Sequence, residues 1–464
     1  MPPSNGIITY ATYLPAHRLS GGELSSALGS GSGTGSRPVA SYDEDTTTMA
    51  VEAARHVVAE GDGETPAIHF ATTAPAYADK TNATAIHAAL DLGHDGLAVD
   101  MAGSARSATA VIQAAEASSG VAILSDMRTG RPGSADERGG ADAAAALRFG
   151  PVDQSVAEIL ATASTSAEFL DRWRAPGAIA SDIWEERFGQ EAYMPLIERA
   201  VERALSAAGI DSADHVIVSS PHSRVAAAAT RSLRNGGVEP PAAGYAGAAD
   251  AGLYLTAVLD QAGSGETILL LNAVDGCDAM VLRTRAEPGA GRRGQPLADQ
   301  VDAGRDINYT TYLTWRGLIQ RELPRRPEPD RPAGPPSARS EAWKFGFVGS
   351  ACTVCGRVHV PPKRVCANCG ATDQMERRRL ADAPGTVATF TVDRLAYSPS
   401  PPMIDAVIDF DGGGRYTLEV TDAEPDQIEI GSRVEMAFRR LYTTGGVHNY
   451  FWKAKPAADK SVGS

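Results

Sequence analysis

Apolar and polar positions follow two different rhythms along this chain. Up to residue 284, short apolar runs alternate with Ala-rich segments of helical spacing. Residues 6–14 predict a strand. Residues 46–60 predict a helix opened by capping threonines, with Ala50, Ala53, Ala54, Val57 and Val58 on one face. LAVDMA (97–102) predicts a strand that turns at Gly103 and Ser104 into the helix ARSATAVIQAAEA. VAILSD (121–126) and DAAAALRFG (142–150) predict further strands. HVIVSS (215–220) runs into a helix with Pro221 near its start, and GYAGAADAGLYLTAVLDQA (244–262) predicts a glycine turn and a helix. TILLLNAVDG and DAMVLRT read as paired strands. Apolar runs of this kind fit sheets covered by helices on both faces. The repeated rhythm suggests an internally duplicated α/β fold.

The second rhythm begins after residue 343. Five short strand-like runs, 386–395, 404–410, 415–420, 433–442 and 448–454, suit a small five-stranded barrel, with DGGG (411–414) as a hairpin turn. Between the two regimes, residues 321–340 hold six prolines. That density resists helix and sheet and predicts a semi-rigid spacer. The expected division is a first domain over 1–320, a Pro-rich linker over 321–343, a metal module over 344–375 and a barrel over 376–464.

Composition narrows the function. The 464 residues are 43% hydrophobic and 22% charged, with 43 Lys+Arg against 57 Asp+Glu, a net charge of -14. These are globular values, and the acidity disfavours nucleic-acid and anionic-membrane partners. The first fifteen residues show no basic and apolar leader, and no apolar run of spanning length occurs. The expected location is the cytoplasm.

Of five cysteines, four form Cys352-x2-Cys355 and Cys366-x2-Cys369, two knuckles ten residues apart. Each knuckle offers two thiolates to one side of a tetrahedral zinc, and four sulfurs leave no place for water. The expected zinc is therefore structural, and His359 and His448 are not needed as ligands.

The segments GIITYATYLP, DEDTTTMAVEAAR, ATTAPAYADKTNA, VDMAGSARSA, SSPHSR, GYAGAAD and LNAVDGCDAMVL together resemble the thiolase superfamily, in its hydroxymethylglutaryl-CoA synthase and type III ketoacyl synthase branch. Residues 344–455 resemble the zinc-ribbon and OB-fold module that accompanies acyl-CoA-handling thiolases. The resemblance implies a duplicated thiolase-like fold layered α-β-α-β-α, followed by a zinc ribbon and a small OB-type β-barrel. It implies a coenzyme A thioester as substrate and a homodimer.

The family's chemistry uses a cysteine at a helix N-terminus, a histidine, and an asparagine or glutamate. By the resemblance, the cysteine position, five residues after Asp100, holds Ala105, so the nucleophile is vacant, with Ser104 adjacent as a weak substitute. The histidine corresponds to His222. The Gly-Asn turn reads Gly244-Tyr245, which puts a phenol at the asparagine position. The glutamate region offers no Glu: Pro75 lies nearest, beside Tyr77 and Asp79. Cys277 matches no nucleophile position and reads as a small buried residue.

Three functions stay open. One is C–C bond making or breaking in a CoA thioester without an acyl-enzyme, of aldol or retro-aldol type, with His222 and Tyr245 as catalytic pair. Another is a non-catalytic scaffold or acyl-CoA-delivering partner of a separate thiolase. A third is an acyltransferase or condensing enzyme of the hydroxymethylglutaryl-CoA synthase type. Loops such as 151–190 would shape the acyl pocket. Arg128, Arg131, Lys363 and Arg364 read as solvated charges that meet CoA phosphates only as the sharper alternative. Arg439, Arg440, Tyr442, Tyr450, Phe451 and Trp452 superficially fit a stacking groove, but the Tyr450–Phe451–Trp452 end is expected to pack on the condensing domain or line an acyl channel.

Overall fold

The computed structural model describes residues 5–29, 34–58, 65–234, 236–322 and 326–457. They form two compact units, one of residues 1–41, 45–86 and 94–312, the other of 42–44, 87–93 and 313–464.

The first unit is built on a nine-stranded sheet. Its strands are β1 (Asn5–Tyr13), β2 (Ile68–Thr72), β3 (Ala98–Ala102), β4 (Val121–Asp126), β5 (Ala143–Pro151), β6 (Ala157–Ser166), β7 (His215–Ser219), β8 (Thr267–Asn272) and β9 (Gly276–Thr284). Their order is β7-β8-β9-β6-β1-β5-β4-β2-β3. Parallel pairs lie at both ends, β7 with β8 and β2 with both β3 and β4, and the middle is antiparallel. Each half thus grades from an antiparallel centre to a parallel edge, which accounts for the repeated rhythm in the sequence.

The helices that matter for the site are α1 (Thr46–Ala54), α2 (Ser107–Ser118), α3 (Glu186–Ala208), α4 (Ser223–Leu233) and α5 (Asp250–Leu259). Asp45, rather than a threonine, caps α1: its carboxylate accepts the N–H groups of Thr47 and Thr48, and the Thr48 hydroxyl returns to the Asp45 N–H. The helix ends at Ala54, short of the predicted residue 60, and residues 59–60 lie outside the described set.

Strand periodicity sorts the apolar run of β8 between two cores. Ile268 and Leu270 join a core with Val111 and Ile112 of α2 and Leu255 and Val258 of α5. Leu269 and Leu271 join a second core with Ile197 and Ala200 of α3 and Val225 of α4. Period-2 alternation with both faces covered makes the run apolar throughout. In β9, Met280 and Leu282 face the first core while Cys277, Ala279 and Val281 face the second. Helices α2 and α5 form the central layer, sharing a core with Ile7 and Leu147 from one half of the sheet and Ile217 and Leu282 from the other. The segment 151–190, read from sequence as loops, supplies strand β6 and leads into the 23-residue helix α3.

In the second unit, Gly334–Arg339 is helical despite its prolines, because Pro at the first turn of a helix lacks only an N–H that would be unpaired there. A three-stranded ribbon follows, with β10 (Val348–Cys352), β11 (Val358–His359) and β12 (Met375–Arg379) in the order β11-β10-β12. Five strands then close into a barrel: β13 (Gly385–Asp393), β14 (Met403–Phe410), β15 (Arg415–Val420), β16 (Arg433–Thr444) and β17 (Val447–Pro456). Trp452 is fully buried and donates its indole N–H to the Phe345 carbonyl at 2.6 Å, stacked on Phe347 and edge-on to Phe438. Tyr450 stacks on Phe438. These aromatics are therefore core of their own unit, which corrects the expectation that they pack on the condensing domain or line a channel. Arg439 is fully buried too, paired with Glu44 at 3.2 Å and Asp422 at 2.9 Å. No helix among the described residues is long and apolar enough to cross a membrane.

Candidate active site and zinc centre

Strand β7 ends at Ser219, and Ser220–Pro221 turn the chain so that His222 precedes α4, its carbonyl accepting the Ala226 N–H at 3.0 Å. The imidazole is buried, with Nε2 against the carboxylate of Asp171, itself 1% exposed. The Tyr193 ring lies 5.5 Å away, and Gly189 of α3 packs beside the imidazole, where a Cβ would be in van der Waals contact at 3.4 Å.

Tyr245 is pinned by backbone. Its N–H donates to the Gly139 carbonyl at 2.8 Å and its carbonyl accepts from Ala141 at 2.9 Å. The preceding Gly244 has a φ of 97° and approaches the same segment so closely that a Cβ would sit 2.9 Å from the Gly139 oxygen. Burial is the chief cause that pushes the Tyr245 phenol far above its ordinary value, although the Arg128 guanidinium, 5.4 Å from the ring centroid, pulls the other way. Burial opposes the charge of Arg128, but Asp126, Tyr245, Asp136 and Asp142 outweigh it and raise its pKa. Arg128 is thus a site residue rather than a solvated surface charge.

His222, Tyr245 and Arg128 line one cavity of about 310 Å³, together with Asp136, Asp250 and Tyr254. Ala105 is not in its lining. The Ala105 turn, ahead of α2, is instead tied to the β8–β9 connection. Arg106 forks onto Asp278 at 3.0 and 2.8 Å and donates to the carbonyls of Asp275 and Thr165. Asn272 donates to the Ala105 carbonyl at 3.3 Å. The Ser104 hydroxyl accepts the Arg106 N–H and lies 3.5 Å from an Asp275 oxygen, so it serves its own turn. Tyr193 links the two places: its ring faces His222, and its hydroxyl accepts the Asp275 N–H at 3.0 Å. Asp100 is occupied elsewhere, accepting N–H groups of Asn82 and Ala83. Cys277 is fully buried, and burial lifts its thiol to about 12. Of the other sequence-selected cations, Arg131 pairs with Asp182 and Arg364 with Asp373, both pairs exposed, and Lys363 is exposed.

Sequence reasoning missed Asp171, Tyr193 and Asp250. The first two sit in or just beyond the segment read as loop. Asp250 carried a signal, as the one charge in the Ala- and Gly-rich run 241–259.

In the second unit, Cys352, Cys355, Cys366 and Cys369 bring their sulfurs within 4.8 Å of one another. The 3.7 Å between Cys352 and Cys369 and the 3.5 Å between Cys355 and Cys366 match the roughly 3.8 Å edge of a tetrahedron with Zn–S near 2.3 Å. His359 Nε2 lies 3.3 Å from Cys366 Sγ, and the Asn368 N–H points to the same sulfur, so both act as supports rather than ligands. The donor set fits zinc with a closed shell.

The fold and sites define a thiolase-type α/β domain fused to a zinc-ribbon and OB-barrel module. Residues 346–376 match the rubredoxin-like zinc ribbon domain of ChsH2 and residues 378–439 its C-terminal OB-fold domain. Over 118 residues, 24% of this chain, it is 30% identical to a DUF35 domain-containing scaffold protein of Methanothermobacter thermautotrophicus, covering 88% of that protein. A hydroxymethylglutaryl-CoA synthase of Archaeoglobus fulgidus is 26% identical over 342 residues, 68% of this chain and 99% of the relative. Among solved structures, a hydroxymethylglutaryl-CoA synthase complexed with CoA superposes with a TM-score of 0.58 at 14% identity, over 67% of this chain and 89% of the other. The 3-oxoacyl-(acyl carrier protein) synthase III of Pseudomonas aeruginosa gives 0.54 at 18%, over 61% and 99%. The chain belongs to the DUF35 domain family, with its ChsH2-type module fused behind a hydroxymethylglutaryl-CoA synthase-like thiolase fold.

Proposed function

We propose that the first unit acts on an acyl-CoA thioester and makes or breaks a C–C bond in it without an acyl-enzyme, by aldol or retro-aldol chemistry. The observation that carries this reading is that His222 and Tyr245 share one cavity, while Ala105, which the resemblance aligns with the nucleophile, is not in its lining. In the cleavage direction, a base takes the β-hydroxyl proton, the Cα–Cβ bond breaks, and its electron pair moves into the thioester enolate. His222 is the base. Asp171 at Nε2 holds the proton there and leaves Nδ1 basic. Tyr245, neutral at physiological pH because burial raises its pKa, donates to developing oxyanion charge. The test is to incubate the purified protein with a series of β-hydroxyacyl-CoA thioesters and follow shortened acyl-CoA by mass spectrometry. Turnover that is lost in His222→Ala supports the reading, and no turnover on any of them defeats it. An acetyl-CoA-dependent mass increase of the intact protein would instead favour acyl transfer.

A second reading is favoured by the module's relatives, which are described as scaffold proteins. In it, the chain is a non-catalytic partner that delivers acyl-CoA to a separate thiolase. It expects no turnover alone and a stable complex with such an enzyme on co-purification. The homodimer stays part of the proposal, with the native mass in solution as its check.

A further inference from the structure

We infer that Asp250 is the carboxylic acid that protonates the α-carbon of the thioester enolate in the His222 cavity, an assignment that rests on the aldol reading above. Cleavage needs two proton transfers at different atoms. One removes a proton from the β-oxygen, and the other delivers one to Cα after the bond has broken. His222 with Asp171 suits the first. The phenols suit the second poorly, because burial raises the pKa of both Tyr245 and Tyr254 and makes them weaker acids than a free phenol.

Asp250 is the remaining acid placed deep in that wall. It is 2% exposed, opens helix α5, and lines the same cavity as His222 and Tyr245. Its position is fixed by backbone: Oδ1 accepts the Ala246 N–H at 2.8 Å. Gly247, with a φ of 59°, lets this turn close, since a Cβ there would sit 2.0 Å from an Asp126 oxygen. The groups whose charge bears on it are Arg128, Tyr245 and Tyr254. Burial raises its pKa to about 7, which the Ala246 N–H, the Ser219 hydroxyl and Arg128 only partly offset. Near neutral pH such a group both holds a proton to give and recovers one readily. The balance closes: the proton from the β-hydroxyl rests on His222, the Asp250 proton ends on Cα, and exchange with water resets both.

The test uses the full chain in heavy water. Cleavage of a β-hydroxyacyl-CoA is followed alongside α-hydrogen exchange of the shortened acyl-CoA product added alone. Asp250→Asn keeps the acceptor for Ala246 and is expected to lower both rates by about 100-fold. His222→Ala is expected to lose cleavage yet keep exchange, a readout that does not depend on any Asp250 variant folding. Asp250→Ser, which keeps an acceptor oxygen, serves as the second variant. Cleavage by Asp250→Asn within about threefold of wild type overturns the assignment, as does loss of exchange in His222→Ala. Wild-type exchange without cleavage defeats the aldol reading while leaving Asp250 as the α-carbon acid.

Discussion

The Arg128 guanidinium lies over the Tyr245 ring, 5.4 Å from its centroid, on the wall of the His222 cavity. The cation also opposes buried Asp126, whose pKa burial raises and Arg128 lowers. Tyr245→Phe keeps the ring under the cation and removes only the hydroxyl. It is expected to change stability by less than about 1 kcal/mol and to lower turnover by about 100-fold. Arg128→Met removes the stronger of two cations acting on buried Asp126, leaving Arg174, and is expected to cost about 2 kcal/mol in a denaturant titration. Full activity in Tyr245→Phe would remove the phenol from the mechanism.

Asp250 makes stability depend on pH with a defined sign. Its folded pKa is about 7 and its ordinary value 3.8, so between these the unfolded chain ionises while the folded one keeps the proton. Stability therefore falls as pH rises through this window, by on the order of 4 kcal/mol at most. Asp250→Asn is expected to be more stable than wild type at pH 8, with the gain shrinking towards pH 4. Melting curves of both proteins across that range would show it. A constant difference would mean that the carboxyl titrates normally.

The four-sulfur cluster is expected to hold one zinc per chain by elemental analysis. Cys366 is the most supported ligand, receiving His359 and the Asn368 N–H. Cys366→Ser should abolish metal retention and release the ribbon strands at 348–379 to rapid amide exchange. Metal binding and folding are coupled in so small a module, and apparent zinc affinities of about 10–16 kcal/mol exceed what its own core supplies. Unchanged protection there after chelation would make the metal dispensable.

Lys453 is fully buried with its Nζ 3.0 Å from Asp43 and 2.6 Å from Glu419. Lys453→Ala takes the nearer cation from buried Asp43, leaving Arg439 Nε 3.9 Å away, and is expected to cost about 3 kcal/mol. Adding Asp43→Asn should return a large part of that loss, because the expense lies in a buried carboxylate with too little countercharge. Purely additive effects of the two substitutions would show that the pair is not coupled.

Period and spacing carried the local facts. TILLLN reads as a strand buried on both faces because its four central residues are all apolar, and two CxxC knuckles specify four converging thiolates without further help. The resemblance put His222 and Tyr245 forward as a pair and marked Ala105 as the missing nucleophile. The long helix Glu186–Ala208 escaped because its segment is polar on average and carries Pro195 inside it. Arg128 looked like a solvated charge and Arg439 like part of a basic groove, since a sequence shows charge but not which carboxylates the fold will bring within reach.

The sequence by itself determined the class of fold, the zinc ligands and the absence of a thiol at position 105, because these follow from residue type, periodicity and short spacing. Only the tertiary structure decided that Asp171 meets His222 from 51 residues away, that Asp250 enters the cavity, and that Ala105 stays outside it. Those relations depend on how strands β7, β8 and β9 and their connecting turns are ordered in the sheet. Burial set by that order also shifts the acidities, so the chemistry of the same residue types was not fixed until the chain had folded.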